Sequence, residues 1–370
     1  MKIALVVPGG VDRSGEHRVV PALLALLERL AARHEVHVFA LRQEAEPGEW
    51  MLLGARVHNV GGRGGLSSQW RAIAAILRVH RAGPFHVVQS IWSGPCGVVA
   101  VAAGRLAGIP SLVHVAGGEL VAFSSIGYGG RLTWRGRLRE RLVLCGATVV
   151  TAASAPILAR LAVLGRAGRR LPLGVDLQRW PPRPPQRRDP RSTVRLIHVA
   201  SLNEVKDQAT LLRAMALLAS DDVDFHLDIV GEDTLGGRVQ ALARDLSLQT
   251  RTRFHGFLTQ AQLRPWLEAA HIHVVASLHE AGPLVLLEAA VLGVPTVGTA
   301  VGHLVEWAPE AALAVPLANP PALARAIRRL IDDEDLRLQL AGEALRRAVG
   351  ESADHTAVLF EAFHAASTGR

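Results

Sequence analysis

Twice along this chain, short β-branched and aliphatic runs alternate with longer amphipathic segments, and that rhythm constrains the fold more than any other feature. In the first half Ile3–Val7, Glu35–Ala40 and Val87–Gln89 read as strands, with helical stretches Val19–Ala32 and Trp70–Val79 between them. Ser111–Val115 and Thr148–Thr151 continue the series, and Ser154 is placed to cap another helix. Strands apolar throughout and separated by helices predict a parallel sheet covered on both faces. The second series comprises Val194–Ala200, Phe225–Val230, Arg253–His255, His273–Ala276, Thr296–Thr299 and Leu313–Val315. Between the two lies Pro172–Ser192, with six prolines and almost no apolar periodicity, which reads as a linker.

A chain of 370 residues exceeds what one core usually supports. The expected fold class is therefore α/β, with two Rossmann-like doubly wound domains facing across a cleft. The expected division is an N-terminal domain over 1–172, a linker over 173–192, a C-terminal domain over 193–350 and a helix over 351–370 free to pack back on the first domain. In such sheets ligands collect beyond the carboxyl ends of the strands, so the loops after strands are where chemistry is sought.

Composition excludes several classes. Cys96 and Cys145 are the two cysteines, and neither has disulfide or zinc-ligand spacing. The five-residue apolar run Ile3–Val7 meets Pro8-Gly9-Gly10, too short for the core of a signal peptide, and a cytoplasmic setting is expected. Ala281–Val305 carries only Glu288 as a formal charge, but Gly293 and Pro295 break it into a buried helix and strand rather than a membrane span. The net charge of +8 is spread by arginines along the chain, and no nucleic-acid-binding motif or nucleic-acid partner is expected. Arginines do cluster at Arg131–Arg141, Arg166–Arg170 and Arg183–Arg195, which leaves peripheral contact with an anionic membrane face open.

After the strand ending at Ala276 comes Ser277-Leu278-His279-Glu280-Ala281-Gly282-Pro283, then the helical run Leu284–Ala290. Proline suits the first helical position, and a helix starting there offers free N–H groups and its positive end to a phosphate. Glu280 lies just before that helix and Glu288 about a turn and a half into it, so one ligand can meet both carboxylates. Glu288 sits in a segment so apolar that an unpaired charge would be costly. A structural alternative has Glu280 stabilising the helix dipole and Glu288 paired with an arginine. A second signal is Ser201-Leu202-Asn203-Glu204-Val205-Lys206, again in a loop after a strand. Lys2 and Lys206 are the chain's only lysines, and an ammonium suits a diphosphate oxygen; the bland alternative is a solvated lysine at a helix start.

These features resemble the family-4 retaining glycosyltransferases of the GT-B fold, over almost the whole chain. The E-x7-E pair is Glu280 to Glu288, the lysine is Lys206, the glycine turn is Val301-Gly302-His303, and the segment leading between domains is Pro172–Asp176. The resemblance implies that Glu288 takes the donor's ribose hydroxyls, Lys206 its diphosphate and Glu280 a donor-sugar hydroxyl. It implies phosphate contacts at Gly282, Pro283 and Leu284, and a nucleobase pocket at Gly256, Phe257 and Leu258. In the first half Ser14-Gly15-Glu16 matches the glycine loop near donor phosphate and acceptor. Three departures stand out: Ser201 replaces the usual arginine, with Asn203 the nearest polar substitute; His303 replaces a glycine; and Ala116-Gly117 replaces His-Gly, with His114 two positions earlier as a catalytic candidate.

The implied activity is metal-independent transfer of a hexosyl group with retained configuration, from a nucleotide-diphosphate sugar, UDP- or GDP-linked, used as substrate without a further cofactor. Glu16, Trp92, Glu119 and Tyr128 stand on the acceptor side. They do not decide between an acceptor glycan, a lipid-linked saccharide and a small molecule. Hydrolysis fits less well, because a glycosidase needs neither Lys206 nor a phosphate-ready helix start. A non-catalytic nucleotide-sugar binder and a basic membrane- or RNA-binding scaffold stay open as alternatives.

Overall fold

The computed structural model describes residues 1–62 and 65–369, and the chain divides into two compact units. Unit 1 comprises Met1–Asp176 with Ser352–Arg370, and unit 2 comprises Leu177–Glu351. Arg370, the last residue of the segment expected to be helical, lies outside the described residues.

Unit 1 runs β1 (Lys2–Val7), α1 (Pro21–Ala31), β2 (Glu35–Ala40), β3 (Gly48–Leu52), β4 (Ala55–Asn59), α2 (Leu66–Ala82), β5 (Val87–Ile91), α3 (Pro95–Ala107), β6 (Ser111–Val115), α4 (Trp134–Gly146), β7 (Val149–Ala152), α5 (Ala155–Val163) and β8 (Arg169–Arg170). The strands form one sheet in the order β3-β4-β2-β1-β5-β6-β7-β8. Its two faces are filled by alternate residues of the same strand: Leu5 and Val7 meet the side chains of α1, whereas Ala4 and Val6 meet Ile73, Ile76 and Val99 of α2 and α3. The sheet is not wholly parallel, because β3 runs antiparallel to β4 as a hairpin at the edge. Ser154 does precede α5, but among the described residues its buried hydroxyl makes no capping bond and meets no other partner.

Unit 2 runs β9 (Val194–Val199), α6 (Gln208–Ser220), β10 (Phe225–Val230), α7 (Arg238–Asp245), β11 (Thr252–Gly256), α8 (Gln260–Ala269), β12 (Ile272–Val275), α9 (Leu284–Val291), β13 (Thr296–Thr299), α10 (His303–Trp307), β14 (Ala312–Val315), α11 (Pro320–Asp332) and α12 (Glu334–Gly350). All six strands are parallel, in the order β11-β10-β9-β12-β13-β14, so the winding reverses between β9 and β12. The apolar segment Ala281–Val305 resolves into α9 and β13, and among the described residues no helix is long and apolar enough to cross a membrane. The proline-rich stretch is held along unit 2: Trp180 is buried, the Arg183 N–H donates to the Val291 carbonyl and the Arg337 guanidinium donates to the Gln186 carbonyl.

The last helix, α13 (Ala353–Thr368), belongs to unit 1, where Ala357 and Phe360 complete the core under α1. Arg29 of α1 fixes this closure. It is buried, and its guanidinium lies 2.9 Å from Asp176 and 2.9 Å from Asp354 in the first turn of α13. The Ala353 N–H donates to the Val175 carbonyl, and the Thr356 hydroxyl donates to the Pro172 carbonyl. Removing one partner of a buried ion pair strands the other charge, so Arg29→Ala is expected to cost about 3 kcal/mol. Urea denaturation of the wild type and variant measures this, and a loss below about 1 kcal/mol, the scale of a surface pair, would show that the contact does not close unit 1.

Candidate functional site

The reversal point of unit 2 brings together the loops that leave β9 and β12. After β9, residues Glu204–Lys206 form a single tight turn, and the Asn203 carboxamide accepts the Lys206 N–H at 3.2 Å. Asn203 thus sets the turn that presents Lys206. Ser201 is exposed, and its carbonyl accepts from the Gln208 side chain. After β12, the Leu278 N–H donates to the Val205 carbonyl at 2.8 Å, which ties the two loops by their backbones.

Across that tie Lys206 Nζ lies 2.5 Å from Glu280 Oε1, and the Ser277 hydroxyl donates to the same oxygen at 2.6 Å. Both charged side chains keep partial exposure. Ser277 is itself anchored, its carbonyl accepting from the Thr299 hydroxyl of β13. The result is an ammonium and a carboxylate held at strand ends, neutralising one another and open to a ligand.

Pro283 takes the position just before α9, one residue earlier than expected, with Leu284 the first helical residue. Gly282 fits there because the ring of His303 occupies the neighbouring space: a β-carbon on Gly282 would come within 2.8 Å of Nε2. Gly302, at φ +48°, lies against the same loop, where a β-carbon would meet Pro283 Cδ at 2.9 Å. His303 therefore fills room instead of opening it, and is 1 % exposed.

Glu288 lies on the second turn of α9 and is buried. No arginine reaches it among the described residues; its hydrogen bond comes from Gln260 Nε2 of α8 at 3.0 Å. Burial without a cation pushes its pKa up to about 7. Gln260 follows closely on Gly256, Phe257 and Leu258, where β11 ends and Phe257 is half exposed, so the segment expected to line a nucleobase is linked to the carboxylate expected at the ribose. Neither Gln260 nor Ser277 was foreseen. The capping box of Thr259 and Gln262 marks the start of α8 and is the one sequence signal that places Gln260 at a helix end.

In unit 1 the winding reverses between β1 and β5. Gly15, in the loop after β1, has φ +68° and donates its N–H to the Asp12 carbonyl, while Glu16 is exposed. Trp92, just past β5, has φ +74°, an uncommon conformation for a bulky residue and one that clusters at functional sites. A side chain on Gly117 would meet both the Trp92 indole, at 3.1 Å, and the Glu119 carboxyl, at 3.0 Å, so these two groups flank one glycine. Glu119 accepts the Ser93 N–H on one oxygen, and its other oxygen is buried with no partner among the described residues. Burial raises its pKa to about 7, and buried Glu140, which accepts from the Ser93 hydroxyl at 2.7 Å, adds to the rise. Tyr128 closes a small loop through backbone bonds to Phe123.

His114 departs from its expected catalytic place. It is fully buried, with Nδ1 2.9 Å from the Thr151 hydroxyl and its ring edge-on to Phe360 of α13, and burial drives its pKa down to about 3. The ring is held neutral between Thr151 of the sheet and Phe360 of α13.

Similarity to known proteins agrees with this geometry. Residues 19–174 match the glycosyl transferase 4-like domain, and residues 193–333 match the family described as glycosyl transferases group 1. The chain belongs to the group 1 glycosyltransferases, and its fold is GT-B. It is 28% identical over 318 residues to the putative glycosyltransferase EpsF of Bacillus subtilis (strain 168), covering 80% of this chain and 78% of that one. Other curated glycosyltransferase relatives match over roughly half of their own length. Among solved structures, sucrose-phosphate synthase from Thermosynechococcus elongatus superposes with a TM-score of 0.84 at 21% identity, covering 99% of this chain and 100% of that one. HepE of Anabaena, solved with UDP-glucose, superposes with a TM-score of 0.74 at 18% identity over 98% and 100%.

The raised pKa of Glu288 has a stability consequence with a definite sign. Below about pH 4.5 the carboxyl is protonated folded or unfolded and costs nothing; between there and about pH 7 the folded state alone holds the proton, so stability falls as pH rises. Glu288→Gln removes the buried charge. Thermal unfolding is expected to show the variant equal to wild type near pH 4.5 and more stable at pH 8, by on the order of 3 kcal/mol. An unchanged difference across that range would mean that Glu288 ionises freely.

Proposed function

We propose that the protein moves a hexosyl group from a nucleotide-diphosphate sugar to an acceptor hydroxyl, with retained anomeric configuration and without a metal. The observation that carries this reading is the donor half in unit 2: paired Lys206 and Glu280 at the strand ends, beside a helix start and a buried carboxylate that no cation among the described residues neutralises. The diphosphate takes Lys206 away from Glu280 and accepts the backbone N–H groups at Gly282 and Leu284. Glu280, released, accepts from a hydroxyl of the donor sugar. Glu288 accepts from the ribose hydroxyls, and the Gly256–Leu258 segment lies along the base.

In the transfer the bond from the sugar's anomeric carbon to the diphosphate breaks, and the bond to the acceptor oxygen forms on the same face. The acceptor's proton passes to an oxygen of the leaving phosphate, and Lys206 with the helix start stabilises the charge that develops there. Trp92 and Glu119, with Tyr128 and Glu16 in the same unit, take the acceptor, an aromatic face and a buried carboxyl being suited to sugar hydroxyls. The acceptor class supported by the arginine-rich unit 1 is a lipid-linked or cell-surface glycan precursor, handled in the cytoplasm with peripheral contact at the inner face of the membrane.

A thermal-shift series with UDP-, GDP- and ADP-sugars tests the donor reading, with UDP-glucose first because HepE was solved with it. Glu288→Ala is expected to abolish turnover with the fold intact, and Lys206→Met to lower kcat/KM at least a hundredfold. Retained turnover in Glu288→Ala would falsify the assigned roles. Hydroxyl donors favour the ionised Glu288, so donor binding releases a proton and is expected to tighten from pH 6 to pH 8, in wild type but not in Glu288→Gln. Calorimetry in two buffers of different ionisation heat reads that proton directly.

A further inference from the structure

Unit 1 carries a second feature that the transfer reaction does not use. On α4, Trp134, Leu138 and Leu142 follow one another at four-residue spacing and are 62 %, 47 % and 61 % exposed, a continuous apolar stripe turned away from the core. Between this stripe and the side of α3 formed by Val98, Val101 and Ala102 runs a trough of about 860 Å³. Leu66 and Trp70 of α2, both largely exposed, extend the apolar surface beyond it. A patch this size on a protein surface marks something that docks there.

The charges around the trough have one sign. Arg105, Arg135 and Arg139 line it, and among the described residues lining it there is no carboxylate. Arg137 and Arg141 emerge on the other flank of α4 and, with Arg131 and Arg166, line a neighbouring hollow of about 700 Å³. Of the α4 arginines only Arg139 meets an acid, Glu140 at 3.4 Å; among the described residues Arg105, Arg135, Arg137 and Arg141 have no carboxylate partner. Helix α4 is thus a ridge with an apolar crest, flanked on both sides by hollows bordered with uncompensated guanidinium groups.

We propose that this ridge docks on an anionic phospholipid membrane, with an acyl chain along the trough between α3 and α4 and lipid phosphates on Arg105, Arg135 and Arg139. Charge complementarity selects this occupant. A second copy of the same face would set arginine against arginine, which like-charge repulsion opposes. A nucleic acid would satisfy the arginines and leave the leucine stripe in water. An anionic lipid surface supplies an anion for each guanidinium and an apolar layer for the stripe, as an interfacial helix requires. This gives a surface to the membrane contact proposed above and rests on that reading of where the protein works.

The test is co-sedimentation of the full chain with vesicles of phosphatidylcholine alone and of phosphatidylcholine with phosphatidylglycerol. Wild type is expected to bind the anionic vesicles at least tenfold more tightly, and to lose most of that binding between low and high salt. Leu138→Ser with Leu142→Ser, and separately Arg105→Ala with Arg135→Ala, are each expected to weaken binding at least tenfold while the unfolding midpoint and the donor-induced thermal shift stay at wild-type values. Cys145 supplies a second measurement, because it lines the trough and is exposed while Cys96 is buried: a polarity-sensitive fluorophore on Cys145 is expected to shift to the blue when anionic vesicles are added. If wild type binds no vesicle, the membrane reading itself falls. If wild type binds but both double variants bind equally, the contact lies elsewhere and this surface is wrong. A wild-type dimer that the serine pair dissolves would assign the ridge to self-association and overturn the proposal as well.

Discussion

The site in unit 2 depends on a break in a ladder. Strand β9 pairs with β10 through six residues but with β12 through two, Leu196 and Ile197 against Ile272 and His273. Beyond those pairs the ladder stops: the His198 ring of β9 meets the Val274 carbonyl of β12 at 2.9 Å, and further on the loops supply bonds of their own. The Leu278 N–H to Val205 carbonyl bond, the Asn203 cap and the Ser277 anchor are the local answers to that constraint. Lys206 and Glu280 end up touching because the two loops had to be tied together at this spot. Electrostatics then does the rest: a pair at the strand ends, partly wet, costs little while empty and gives up each partner to a ligand that brings a matching group.

Glu288 illustrates the opposite economy. Its place on α9 is dictated by a helix otherwise made of Leu, Val and Ala, and the fold offers it Gln260 in place of a cation. A carboxyl so placed is a standing penalty in the empty protein, tolerated at sites whose occupant removes it. Glu119 in unit 1 shows the same pattern, buried with Ser93 on one oxygen and, among the described residues, no partner on the other. Two buried carboxyls titrating near neutrality on the ligand-facing ends of two sheets are a more specific sign of function than either motif alone.

Most of the strands were legible because their runs are apolar on both faces, and β2, β6, β10 and β13 have the residues the periodicity assigns them. The β3–β4 hairpin was not. Its two-residue turn is Leu53-Gly54, with leucine at φ +48° where asparagine or aspartate would have announced the turn, and β3 alternates too weakly to read as buried. The order of the strands, and with it the meeting of Lys206 with Glu280, depends on pairings between distant segments that no local pattern carries. His114 misled for a related reason: alternation fixes which face of a strand a residue occupies, but not that α13 would cover that face. The arginines of α4 stand out as a cluster in the sequence, but its apolar crest does not, because leucines at helical spacing read as core until the neighbouring helices are known to leave them bare.

The return of α13 to unit 1 sets an order of events during synthesis. Phe360 and Ala357 belong to the same core as Leu5 and Leu23, yet the ribosome makes all of unit 2 between them. A nascent chain that has emerged as far as Glu351 holds every strand and helix of unit 2 but has an uncovered seam in unit 1, with the carboxylate of Asp176 still waiting for the helix that will share Arg29 with it. Unit 1, begun first, is therefore finished last, and its exposed seam is the part of the growing protein most in need of a chaperone.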